Sequence, residues 1–93
     1  MSEHDLSLDE LHALGVTTAE RLGVDVLTGW ITAARIDDLP VEVLELSTVE
    51  LRGVAEYLRR DIVPRARGRA GAVALAAEAL DNLATVRRHG GGL

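Results

Sequence analysis

The chain predicts an all-α domain. It is expected to be a small helical bundle with two long antiparallel helices, about 48–63 and 69–88, and short N-terminal helices packed across them. Three observations predict this. The hydrophobic fraction is 47%, yet there is no Phe, one Trp and one Tyr, so the core is aliphatic and Ala-rich. Such an interior suits close helix packing better than a strand sandwich, which recruits aromatic and β-branched residues. Ser/Thr-x-x-Glu capping boxes recur at Ser7/Glu10, Thr17/Glu20 and Ser47/Glu50, each pairing two orphan backbone donors at a helix start. Apolar residues then recur at i, i+3, i+4 and i+7.

The elements follow in order. Ser7 caps a short helix expected to stop at Gly15, which suits a left-handed C-terminal position. Thr17 caps a second short helix ending at Gly23. Asp25 opens a third, about 26–36, with Leu27, Trp30, Ile31 and Ala34 on one face; Gly29 weakens it by about 1 kcal/mol relative to Ala. Asp37-Asp38-Leu39-Pro40 breaks the chain, and Pro40 suits the first turn of a brief helix through Leu46. Ser47 opens the first long helix, with Leu51, Val54, Ala55, Leu58 and Ile62 on one face and Arg52, Glu56, Arg59 and Arg60 on the other. Glu56 and Arg60 have the favourable i, i+4 orientation. Pro64 lacks an N–H and must end or kink this helix near 62–63. The last helix carries a polar stripe of Glu78, Asp81, Asn82 and Thr85. The rest of 70–86 is Ala, Gly, Val or Leu, which predicts burial on more than one side, as the central helix of the domain or as half of a dimer interface. Its small first turns (Ala70, Gly71, Ala72, Ala74) admit a close partner helix. Arg87, Arg88 and His89 meet the negative end of its dipole.

Ninety-three residues make one domain, placed at 7–89 between a loose tail (1–6) and a Gly-rich tail (90–93). There is no Cys, which removes disulfides, thiol catalysis and Cys-based metal sites. All ten basic residues other than His are Arg, a bias expected of G+C-rich bacterial coding. The acidic, polar N-terminus is unlike a signal or transit peptide, and no apolar run reaches the ~18 residues of a membrane helix. A cytoplasmic protein is expected.

Charge is unevenly distributed. Residues 1–56 hold twelve acids and three Arg, whereas 57–93 hold seven Arg and three acids. Arg59, Arg60, Arg65, Arg67 and Arg69 fall within eleven residues around Pro64. Guanidinium groups fork onto carboxylate or phosphate, so these five are the candidate partner- or phosphate-binding residues. The competing reading is a solvated connection whose arginines pair with Glu56, Asp61 and the acidic half. A net charge of −5 argues against a general nucleic-acid binder, and no aromatics interleave with the arginines to stack bases.

Other motifs carry less. Residues 11–22 resemble a helix–hairpin–helix motif, whose Gly-containing turn offers backbone amides to a DNA phosphate. Here Ala13 stands at the first Gly, and Asp9, Glu10 and Glu20 repel phosphate. A plain pair of short helices is the alternative. His4, Asp5, Asp9 and His12 are ligand types without a recognised metal spacing, so no metal is expected. Ser2, Ser7 and Ser47 read as tail and caps, and no His activates them. A small aliphatic bundle leaves little room for a pocket of ~300 Å³. Trp30 and Tyr57 read as core anchors with polar atoms at the rim, or as anchors for a partner.

The stretch from Leu51 to Arg88 (V-A-E-Y-L-R-R-D-I-V-P, then G-R, A-L and V-R-R) resembles a small uncharacterised all-helical domain of G+C-rich bacteria. The resemblance implies helical architecture and an accessory role beside an enzyme, with no activity and no site residues. The expected function is a non-enzymatic protein–protein interaction module, either a homodimer or a small accessory subunit of a larger bacterial enzyme or assembly. The alternative is an Arg-based module for nucleotide or RNA phosphate, and a paired-carboxylate enzyme ranks last. No cofactor is expected.

Overall fold

The computed structural model describes residues 6–23, 26–27 and 41–90, with the backbone alone for 88–90. Among these residues every regular element is helical: α1 (Leu8–Leu22), α2 (Val41–Leu44), α3 (Thr48–Tyr57) and α4 (Ala70–Gly90). The expected tail residues 1–5 and 91–93, Trp30, and most of the expected helix 26–36 lie outside the described residues. Val26 and Leu27 are helical and pack half-buried against the core.

α1 starts as its sequence dictates. The Ser7 hydroxyl accepts from the Glu10 N–H, and Glu10 Oε1 accepts from the Ser7 N–H, each at 3.1 Å. It also ends at Gly23, whose φ of 94° suits glycine. The expected break at Gly15 does not occur. Thr17 is not a cap; its hydroxyl donates to the Ala13 carbonyl at 3.2 Å, one turn back. This removes the hairpin that the helix–hairpin–helix resemblance requires. Two helices of about two turns or less are each too short to be stable alone, whereas one continuous helix presents Leu11, Gly15, Thr18 and Ala19 as a single buried stripe. That stripe lies along α3 rather than across it, which corrects the expected crossing of short helices. Asp9 meets Arg60, Gly15 meets Gly53 and Arg21 meets Glu50, so α1 and α3 run antiparallel.

α3 opens with the expected Ser47/Glu50 box, its bonds 2.9 and 3.2 Å long. Leu51, Val54, Ala55 and Leu58 are buried as their spacing predicts. The helix then widens into a π-turn over Leu58–Ile62. The cause is Pro64: it cannot donate to the Arg60 carbonyl, and its ring crowds that oxygen. The Val63 N–H reaches back five residues to Leu58 instead. Two short 3₁₀ turns follow, Val63–Arg65 and Arg67–Arg69, and form an elbow that leads into α4.

α4 buries Val73, Ala76, Ala77, Leu80 and Ala84 in one core cluster with Val43 of α2, Leu46 just beyond it, Leu51 of α3 and Leu58 of the π-turn. Its other face is exposed: Gly71, Ala74, Leu75, Glu78, Asn82, Thr85 and Val86. Within the chain burial is therefore one-sided, so α4 is not a central helix covered on more than one side by its own chain. Ala makes a helix look apolar all round, but exposing a methyl costs little, and only Leu75 and Val86 on the outer face are large.

Candidate functional site

The five arginines around Pro64 do not act as one group. Arg59 donates to the Asp81 carboxylate on α4. Arg60 donates through Nε to Glu56 at 2.7 Å and through Nη1 to Asp9 of α1 at 2.8 Å. The Asp9 hydrogen bond is the main influence raising the Arg60 pKa above its ordinary value. These two side chains brace the helices, so for them the reading of neutralisation within the chain holds. Asp61, expected to join that network, faces His12 Nε2 at 2.9 Å instead. The His12 ring sits 6.4 Å from that of Tyr57, which packs half-buried against the core.

Arg65, Arg67 and Arg69 are different. All three are exposed on the elbow, and none has an ion-pair partner among the described residues. Arg67 holds φ at 48°, the left-handed region that costs a side-chain-bearing residue about 1–2 kcal/mol. The neighbouring Gly68, which would adopt it without strain, does not. Sequence alone carried no signal for this, because the glycine stands one position too late. The candidate surface is thus three guanidinium groups on five residues, carried on a strained turn between two helices.

At the far end of α3 lies an acidic groove that sequence reading missed. It is open, about 330 Å³ in volume, and lined by Arg21, Leu22, Glu42, Glu45 and Leu46. The Arg21 guanidinium is committed to Glu50 at 2.5 Å. Glu50 is held below the usual carboxylate range, first by the Ser47 backbone N–H and then by Arg21, against the opposing effect of burial. Glu42 and Glu45 are exposed and have no ion-pair partner among the described residues. Arg87, expected to serve its own helix end, crosses to α2 and donates to the Leu44 and Leu46 carbonyls. It thereby supplies donors to carbonyls at and just beyond the C-terminal end of α2.

A second open cavity of about 330 Å³ is lined by Arg52, Asp81, Ala84 and Thr85. Asp81 already receives Arg59, and the Thr85 hydroxyl donates to the Asp81 carbonyl at 2.9 Å. Of the expected metal-ligand types, Asp9 and His12 are engaged with Arg60 and Asp61, and no group of three or more candidate ligands occurs among the described residues. No helix among them is long and apolar enough to cross a membrane. Comparison with protein-family models, curated proteins and solved structures gives no match.

Proposed function

We propose that this protein is a non-enzymatic interaction module, a self-associating or small accessory subunit that engages an acidic protein surface through Arg65, Arg67 and Arg69. One observation carries the reading. Arg21, Arg59, Arg60 and Arg87 are all spent on contacts within the fold, while the three elbow arginines are presented to solvent on a strained turn. Strain that packing does not require gathers where a surface is used. Exposed guanidinium groups steer and orient an oppositely charged partner more than they add affinity. The contacts of Arg59 with Asp81 and of Arg87 with Leu46 support two antiparallel arms, 48–63 and 69–88, that hold the elbow at one end.

The test is capture from lysate of the native host on immobilised protein, wild type beside the triple variant R65Q/R67Q/R69Q. The reading requires a discrete protein, retained in stoichiometric amount by the wild type, released by moderate salt and lost on the variant. Equal retention by both proteins, or none by either with no self-association, would remove it.

The same three exposed arginines support a second reading, recognition of a nucleotide or RNA phosphate. Phosphate contacts give a steep loss of affinity with salt. Unchanged electrophoretic mobility of every RNA and DNA tested at low salt rules against this version.

A further inference from the structure

The elbow and the acidic groove stand at opposite ends of α3. Helical chain from Thr48 to Ile62 separates them, about 22 Å at 1.5 Å per residue. No side chain spans that distance, so Arg65, Arg67 and Arg69 cannot neutralise Glu42 and Glu45 of their own chain. Among the described residues, opposite charges are thus left at opposite ends of α3, one set on the elbow and the other on the rim of an open groove.

We propose that a second copy of this chain fills the groove: the elbow of one molecule docks head-to-tail against Glu42 and Glu45 of the next. The groove suits an arginine. Leu22 and Leu46 offer apolar floor to the methylene stem, and the two carboxylates receive the guanidinium. Among the described residues the competing cations nearby are already engaged, Arg21 with Glu50 and Arg87 with backbone carbonyls. Because the two surfaces are different, the contact is heterologous, and association continues past the dimer into rings or open chains. Exposed ion pairs are individually weak, so association is concentration-dependent and salt-sensitive. This inference rests on the interaction-module reading and names the partner.

Sedimentation of the full chain tests it, at low salt and up to about 1 mM, where weak contacts become populated. The wild type is expected to rise steadily above 10.0 kDa without stopping at a dimer, and to return to monomer near 0.3 M salt, where screening is short-ranged (about 5–6 Å). E42Q/E45Q and R65Q/R67Q/R69Q each alter only exposed residues, and each is expected to stay monomeric alone. Their equimolar mixture is the decisive arm: one keeps its elbow and the other its groove, so the mixture forms a 1:1 dimer and nothing larger. Circular dichroism verifies that both variants are folded, and the wild-type salt dependence stands whatever the variants do. A wild type that stays monomeric overturns head-to-tail docking even if a foreign protein is captured from lysate, an outcome that leaves the interaction-module reading intact. A closed dimer, or unchanged association of either variant, overturns it too.

Discussion

A Cβ placed on Gly15 would stand 1.9 Å from the carbonyl oxygen of Gly53. The two glycines are where α1 and α3 touch backbone to backbone, and the contact is mutual: a Cβ on Gly53 would lie 2.8 Å from the Leu11 carbonyl oxygen and 3.0 Å from the Gly15 nitrogen. Neither obstacle is the tip of a flexible side chain, so only a shift of a whole helix can relieve it.

G15A is therefore expected to destabilise the protein, although Ala is the better helix former. The intrinsic gain is about 1 kcal/mol. Overpacking against a rigid neighbour costs about 1–3 kcal/mol and at times more, and moving α1 also strains the contacts at Asp9, His12 and Arg21. A net loss of about 2 kcal/mol in urea unfolding is expected. Wild-type stability in G15A would show that the close contact is not real.

Glu50 should make stability depend on acid. Its carboxyl is held below its ordinary value by the Ser47 N–H and Arg21. A group with a lowered folded pKa contributes stability that is fully present above its unfolded value, near 4.5, and is lost as pH falls through the lower folded value. E50Q is expected to cost about 1 kcal/mol at pH 7, with the gap to wild type narrowing below pH ~4. Denaturant midpoints of both proteins between pH 7 and 3 measure this, and a gap that does not change with pH contradicts it.

Arg87 ties the end of α2 to α4. Its fork reaches two carbonyls, from Leu44 and Leu46, at once, which a lysine ammonium on a single stem does poorly. R87A is expected to cost about 1–3 kcal/mol, because partly buried carbonyls lose their donor, and R87K should recover less than half. Amide exchange at Glu45 and Leu46, which donate to Val41 and Val43, should quicken in R87A ahead of the α3 core. Uniform change across the chain would mean that Arg87 does not act through α2.

Arg67 pays a local cost for its place on the elbow. R67G removes the steric penalty of the left-handed backbone, about 1–2 kcal/mol, but adds disorder to the unfolded chain of about 0.4–1 kcal/mol. The net expectation is thermal stability equal to or slightly above wild type, with weaker partner binding. Substitution of Arg65 or Arg69, exposed on the same elbow without strain to relieve, should leave Tm unchanged. A clear fall in Tm for R67G would place Arg67 in the structural frame and not on a docking surface.

Local chemistry made much of this protein legible in its sequence. The all-α class, the Ser7/Glu10 and Ser47/Glu50 starts, the stop at Gly23, the buried Leu51–Val54–Ala55–Leu58 face and the interruption at Pro64 all depend on residues within one or two turns of each other. What failed depended on residues far apart. Gly15 read as a helix stop because its freedom is visible in sequence, whereas its actual use, close approach to Gly53, needs a neighbour 38 positions away. The last helix read as apolar over most of its circumference because hydropathy counts methyl groups and not their neighbours. The arginine group was visible as a group, but its division was not: Asp81 and Asp9 claim Arg59 and Arg60 only once α4 and α1 have packed on α3. Sequence alone thus determined where helices start, stop and turn, since those energies are short-ranged. Only tertiary packing decided which charges are consumed in holding the fold and which are left facing water, because an ion pair depends on distance in space and not on distance along the chain.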